Sequence, residues 1–106
     1  MLSYDLKSGE EKMKIEKVPG KNNKNKVFLY ALSTCAWCKM TKQFLKDNQI
    51  EFEYVDVDKC TPEDLDKVKK NVLDLGGSLS YPVIIVNDKT LINGFRKDLL
   101  KEKLDI

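Results

Sequence analysis

Two cysteines separated by two residues, in Thr34-Cys35-Ala36-Trp37-Cys38-Lys39, constrain this chain more than any other feature. They follow an apolar run, Val27-Phe28-Leu29-Tyr30-Ala31-Leu32. They precede Met40, Phe44 and Leu45, which are spaced as on a helix with polar residues between them. The pair therefore sits where a buried strand hands over to a helix. The first turn of a helix has unpaired backbone N–H groups and the positive end of the macrodipole, and both favour a thiolate over a thiol. Cys35 is at or next to the N-cap. Cys38 lies one turn further on, on the same face. A thiolate at Cys35 can attack an outside disulfide, and Cys38 is placed to displace the product.

The same spacing is half of a zinc site, which usually takes four protein ligands. The chain has no His and one further cysteine, Cys60, too few for a Cys/His tetrad within one chain. Redox chemistry is therefore expected, with no metal.

A length of 106 residues fits one small domain. Hydrophobic residues make up 42%, enough for a single core but not two. The formal net charge of +2 is too weak to argue for nucleic acid or an anionic membrane. No apolar run approaches a membrane span. Met1-Leu2-Ser3-Tyr4-Asp5-Leu6-Lys7 leads into a charged stretch, not a signal-peptide apolar region. The expected location is the cytoplasm, where thiols are kept reduced and a cysteine pair is catalytic more often than structural.

Residues 1–26 read as a charged extension, with 7 Lys against 4 acidic residues, and residues 27–106 as the redox domain. Lys12-Met13-Lys14-Ile15-Glu16-Lys17-Val18 alternates polar with apolar. A short edge strand is expected at Met13–Val18, with residues 1–10 mobile. Pro19-Gly20 breaks it, and Lys21–Lys26 is loop-like. The basic stretch is read as a solvated linker in preference to a docking arm.

Strand Val27–Leu32 reads as covered on both faces, and a helix over Ala36–Asn48 follows. Phe52–Val57 is a second β-rich run. Thr61 as N-cap, Pro62 at the first helical position and Asp64 three residues after the cap mark a helix start. Leu65, Val68, Val72 and Leu75 form its apolar stripe, ended by Gly76-Gly77. Val83–Val86 is strongly β. Asn87-Asp88-Lys89 turns it into Thr90-Leu91-Ile92, Asn93-Gly94 breaks that strand, and a closing helix is expected from Arg96 to Leu104. The order is β-α-β-α-β-β-α, with a parallel pair first and an antiparallel hairpin later. Phe44, Leu65, Val68, Val72, Ile84 and Ile85 are core by period.

Three separated stretches, Tyr30–Cys38, Ser80-Tyr81-Pro82-Val83 and Asn93-Gly94-Phe95, together with this order, resemble the glutaredoxin family of the thioredoxin fold. The resemblance covers about residues 26–104. It implies an α/β fold with a mixed four-stranded sheet, to which the N-terminal strand adds an extra edge. Asn93-Gly94-Phe95-Arg96-Lys97-Asp98 is similar to a Ser-Gly-Phe-Arg-Pro-Asp signature of the NrdH-redoxins. Those proteins look like glutaredoxins but take electrons from thioredoxin reductase and serve ribonucleotide reductase. The resemblance implies a cis Pro82 facing the cysteines, with Tyr81 offering backbone groups to a substrate strand; X–Pro is the bond where cis is cheap. It implies a thiol–disulfide oxidoreductase acting in electron transport, reducing protein disulfides through Cys35 as nucleophile and Cys38 as resolving thiol. Trp37, Lys39, Tyr81, Pro82, Gly94 and Phe95 are the expected substrate-binding residues.

The chain also departs from the glutathione-using branch. Apolar Leu32 replaces a basic residue, Asn93-Gly94 replaces Gly-Gly, and Ala36-Trp37 replaces Pro-Tyr. These changes weaken glutathione as reductant, although Lys39, Arg96 or Lys97 could meet its carboxylates. The expected partners are disulfide-containing proteins and a reductase or low-molecular-weight thiol as donor, with the protein itself a monomer. No cofactor is required. The alternative is a dimeric module sharing an iron–sulfur cluster or zinc through Cys35 and Cys38. Trp37 is either a partner contact or a packing residue. Lys39 is read as an ordinary surface lysine before an anion-binding one. Cys60 is read as a loop thiol before a third redox group.

Overall fold

A computed structural model describes residues 15–106. The expectation for residues 1–10, and Met13 and Lys14 of the expected first strand, lie outside the described residues.

The central strand β2 (Val27–Ala31) is buried at four of its five positions, as its unbroken apolar composition demands. β3 (Phe52–Asp56) lies parallel to it, with Phe28 opposite Glu53 and Ala31 opposite Asp56. β4 (Val83–Val86) lies antiparallel on the other side, with Tyr30 opposite Val83. β5 (Thr90–Asn93) continues the antiparallel hairpin, with Val83 opposite Asn93. β1 (Glu16–Val18) pairs antiparallel with β3. The sheet thus has five strands in the order β1-β3-β2-β4-β5, the four expected plus the N-terminal edge. Ile15 precedes β1 without strand pairing, so the described edge strand is shorter than the alternation suggested.

α1 (Ala36–Asp47) and α3 (Lys97–Leu104) cover one face of the sheet. Cys38, Leu45, Leu100 and Leu104 pack there on Leu29, Ala31, Phe52, Ile84 and Ile92. α2 (Pro62–Asp74) covers the other face, where Val68 and Val72 meet Tyr30, Val55, Val83 and Ile85. Phe44 and Leu65, expected in the core, sit half-buried at its margins.

Several element ends follow their sequence signals, although the strand expected at Val27–Leu32 stops at Ala31. Thr61 caps α2, its hydroxyl accepting the Asp64 N–H at 3.2 Å. The β4–β5 turn places Asn87 and Asp88 at φ of 55° and 64°. That is the conformation that hairpin turns demand and that Asn and Asp tolerate. The strand Phe52–Val57 stops one residue early, because Val57 opens a single 3-10 turn, Val57–Lys59.

Before β2 the chain is stitched to the body. The Asn22 N–H donates to Gln49 O at 2.8 Å, and the Glu51 N–H donates to Asn22 O at 2.9 Å. Gly20 allows this approach: a Cβ there would stand 2.5 Å from Gln49 O.

Candidate active site

β2 runs toward Cys35, and β4 starts beside the end of β2, because Tyr30 pairs with Val83. β5 ends beside the start of β4, because Val83 pairs with Asn93. Three loops therefore meet at one edge of the sheet: residues 32–35, 75–82 and 94–96. That topology brings three distant parts of the sequence into one place.

Cys35 is the N-cap of α1. Its sulfur accepts the Cys38 N–H at 3.2 Å, so one of the orphan donors of the first turn points at that sulfur. Its own N–H donates to Leu32 O at 3.2 Å, which closes the turn out of β2. Cys35 is half-buried; Cys38 is 0% exposed. The Cys38 sulfur accepts the Leu32 N–H at 3.4 Å. Burial pushes its thiol up to about 12, and the hydrogen bond with Cys35 adds to this. The two cysteines thus differ in their surroundings. Cys35 is half-buried beside a donor, and Cys38 is fully buried with its thiol raised.

The Tyr81–Pro82 peptide is cis. The Gly94 N–H donates to Pro82 O at 2.7 Å, linking the third loop to the second. Gly94 has φ +85°, which an L side chain rarely adopts. Trp37, Tyr81, Pro82, Gly94 and Phe95 line a single groove of about 240 Å³. Trp37 is 59% exposed and lies 6.4 Å from the Phe95 ring between centroids. Five of the expected substrate residues are therefore brought together. Lys39 is not among them; its side chain is exposed on α1. Lys97 stands 5.9 Å over the Phe95 ring, and Arg96 pairs with Asp98 at 4.0 Å.

Cys60 is half-buried, and its thiol is raised by burial and by the carboxylates of Asp64, Asp58 and Asp56. Those neighbours oppose a thiolate there.

Two arrangements were not legible in the sequence. Asn93 spends its side chain on the loop before Pro82: its amide donates to Ser78 O at 2.8 Å and Ser80 O at 3.1 Å, and its oxygen accepts the Ser78 N–H at 3.0 Å. Lys42, one turn beyond Cys38, pairs with Asp56 at 3.3 Å and lies 3.9 Å over the Tyr54 ring. The spacing from Cys38 to Lys42 was available as a signal; the position of Asp56 depends on long-range strand pairing and was not.

Among the described residues, no group of three or more His, Cys, Asp or Glu could hold a metal ion, and no helix is long and apolar enough to cross a membrane. A cluster or zinc shared between two copies through both cysteines needs both sulfurs at the surface. The burial of Cys38 does not fit that arrangement.

Comparison with known proteins agrees with the geometry. The family model for glutaredoxin matches residues 27–91. A glutaredoxin-like 8.6 kDa protein in the rubredoxin operon of Clostridium pasteurianum is 37% identical over 78 residues, spanning 71% of this chain and 96% of its own. The crystal structure of a glutaredoxin from Methanosarcina mazei superposes with a TM-score of 0.79 at 36% identity, covering 87% of this chain and 88% of that one. The NrdH-redoxin from Escherichia coli, described as glutaredoxin-like with a thioredoxin-like activity profile, gives 0.58 at 26% identity, covering 73% of this chain and 92% of that one.

Proposed function

Because the chain belongs to the glutaredoxin family and is a thiol–disulfide oxidoreductase, we propose that it reduces disulfides in other proteins, with Cys35 as nucleophile and Cys38 as resolving thiol. The Cys35 thiolate attacks one sulfur of the target disulfide. A mixed disulfide forms, and the other target sulfur leaves and takes up a proton. Cys38 then loses its proton and attacks Cys35. The Cys35–Cys38 bond forms, and the electron pair of the broken bond leaves with the second target sulfur, which is protonated in turn. Two electrons pass from the pair to the target, and an external donor restores the dithiol. A reducing compartment, the cytoplasm, suits that cycle, and the protein works as a monomer.

The observation that carries this reading is the asymmetry of the two sulfurs. The half-buried Cys35 accepts a first-turn N–H at 3.2 Å, above a fully buried Cys38. The groove lined by Trp37, Tyr81, Pro82, Gly94 and Phe95 is the proposed seat of the target chain. Its composition suits an apolar peptide segment, and the backbone of Tyr81 before the cis Pro82 suits strand-like pairing. Lys39 lies outside that lining and contributes only positive charge to the approach.

The proposed donor is a reductase or a dithiol in preference to glutathione. Asn93 is committed to Ser78 and Ser80, and Leu32 offers no charge to a small anionic thiol. Ribonucleotide reductase, the target implied by the resemblance to NrdH-redoxins, is one protein disulfide this site would serve.

The test is reduction of a model protein disulfide with either a dithiol or glutathione as the donor. The native protein should turn over with the dithiol and slowly with glutathione. Cys35→Ser should be inactive, and retained turnover would end this assignment. Cys60→Ser should turn over like the native protein.

A further inference from the structure

The resolving step sets a problem that the two cysteines alone do not solve. Cys38 must give up its proton to attack Cys35, yet it is fully buried and burial opposes that loss. The charged and titratable groups that bear on it are few. Cys35 and Lys42 share α1 with it, and Asp56 at the end of β3 reaches Lys42. Once Cys35 is tied up in a mixed disulfide, it carries no thiol to share a hydrogen bond. The groups left are the Leu32 N–H, which donates to the sulfur at 3.4 Å, and Lys42 with its counter-ion.

Lys42 is held for this place. It stands four residues after Cys38, so the two share one face of α1. Its ammonium pairs with Asp56 at 3.3 Å and sits 3.9 Å over the Tyr54 ring. Its side chain is 19% exposed and that of Asp56 18%. The other ion pairs seen among the described residues, from Lys17–Glu51 to Lys103–Glu102, each have at least one partner more than half exposed. A lysine fixed by a carboxylate and an aromatic face loses side-chain freedom, which a surface lysine keeps.

We propose that Lys42, fixed by Asp56 and Tyr54, is a positioning residue for the resolving step, holding positive charge one helical turn beyond Cys38 so that the buried sulfur can become a thiolate and attack the mixed disulfide. Lys42 keeps its own proton. The proton of Cys38 leaves to solvent, and the departing target sulfur takes one up. The inference rests on the disulfide-exchange reading above.

The test is a rapid-mixing reaction of the reduced protein, in a Cys60→Ser background, with a symmetrical aromatic disulfide whose thiol is coloured. Attack by Cys35 releases the first equivalent and resolution by Cys38 releases the second. Lys42→Gln should slow the second phase about tenfold near neutral pH, the effect of about one pKa unit on the attacking thiol. Its pH midpoint should rise while the first phase changes far less. Lys42→Arg should keep the native midpoint. Asp56→Asn retains an oxygen for Lys42 but removes the neutralising charge, so its midpoint should fall. These opposite shifts would not arise from a loss of packing, and Asp56→Asn tests the idea even if Lys42→Gln does not fold. An unmoved midpoint in both variants, or shifts of the same sign, would overturn the role of Lys42. Absence of the second equivalent from the native protein would instead overturn the disulfide-exchange reading itself.

Discussion

In the dithiol state the Cys38 thiol is held up to about 12, first by burial and then by its hydrogen bond with Cys35, whereas an ordinary cysteine titrates near 9. This has a consequence for stability. Above about pH 9 the unfolded chain gives up the proton while the native chain keeps it, so stability falls as pH rises from about 9 toward about 12. The full shift corresponds to on the order of 4 kcal/mol as an upper bound. Denaturant midpoints of the reduced protein should therefore drop between about pH 8 and about pH 11, and drop less in Cys38→Ala, which has nothing to ionise. An equal drop in both would mean that Cys38 is not held protonated by the fold. Residue roles of this kind were partly legible in the sequence. Strand-to-helix position marked Cys35 and Cys38, but the contrast between them needed the depth of each sulfur, which spacing does not give. Cys60 likewise read as a plain loop thiol, and the three carboxylates that bear on it come from separate positions in the chain.

Among the elements, the loops carry the site and the helices and strands aim it. α1 was readable because its cap is Cys35 and its apolar positions repeat at helical spacing. α2 announced itself through Thr61 and Pro62. Loop 75–82 carried no such signal beyond its glycines and Pro82. It is held by a side chain from another element, the amide of Asn93 at the end of β5, through three hydrogen bonds. In the sequence Asn93 read as a strand breaker, as part of the Asn93-Gly94-Phe95 stretch that carries the resemblance, and as a departure from a Gly-Gly pair. Asn93→Ala should cost about 1–2 kcal/mol, since it leaves the Ser78 and Ser80 backbone groups to water instead of a fixed partner. It should also raise KM for a protein disulfide more than it lowers kcat, because the loop before Tyr81 and Pro82 loses its anchor. Denaturant titration and steady-state kinetics check both. An unchanged KM would mean that the approach to Pro82 is set without Asn93.

For the whole molecule, the order of elements and the split between parallel and antiparallel pairs followed from composition and turn signals, and they are what bring residues 32–35, 75–82 and 94–96 to one sheet edge. Of the edge strand expected at Met13–Val18, Glu16–Val18 lie opposite Tyr54–Phe52 and the half-exposed Ile15 lies outside the strand, while Met13 and Lys14 lie outside the described residues. The Lys42–Asp56–Tyr54 arrangement was out of reach of any local pattern, since it joins a helix face to the far end of a neighbouring strand. The most direct test of the central claim, that Cys35 attacks and Cys38 resolves, is to trap the intermediate. Cys38→Ser is mixed with a disulfide-containing protein, and the covalent complex is isolated and mapped by peptide mass spectrometry. The account predicts a stable one-to-one adduct through Cys35, absent from the native protein and from Cys35→Ser. An adduct through Cys60, or none with Cys38→Ser while the native protein still reduces the substrate, would contradict it.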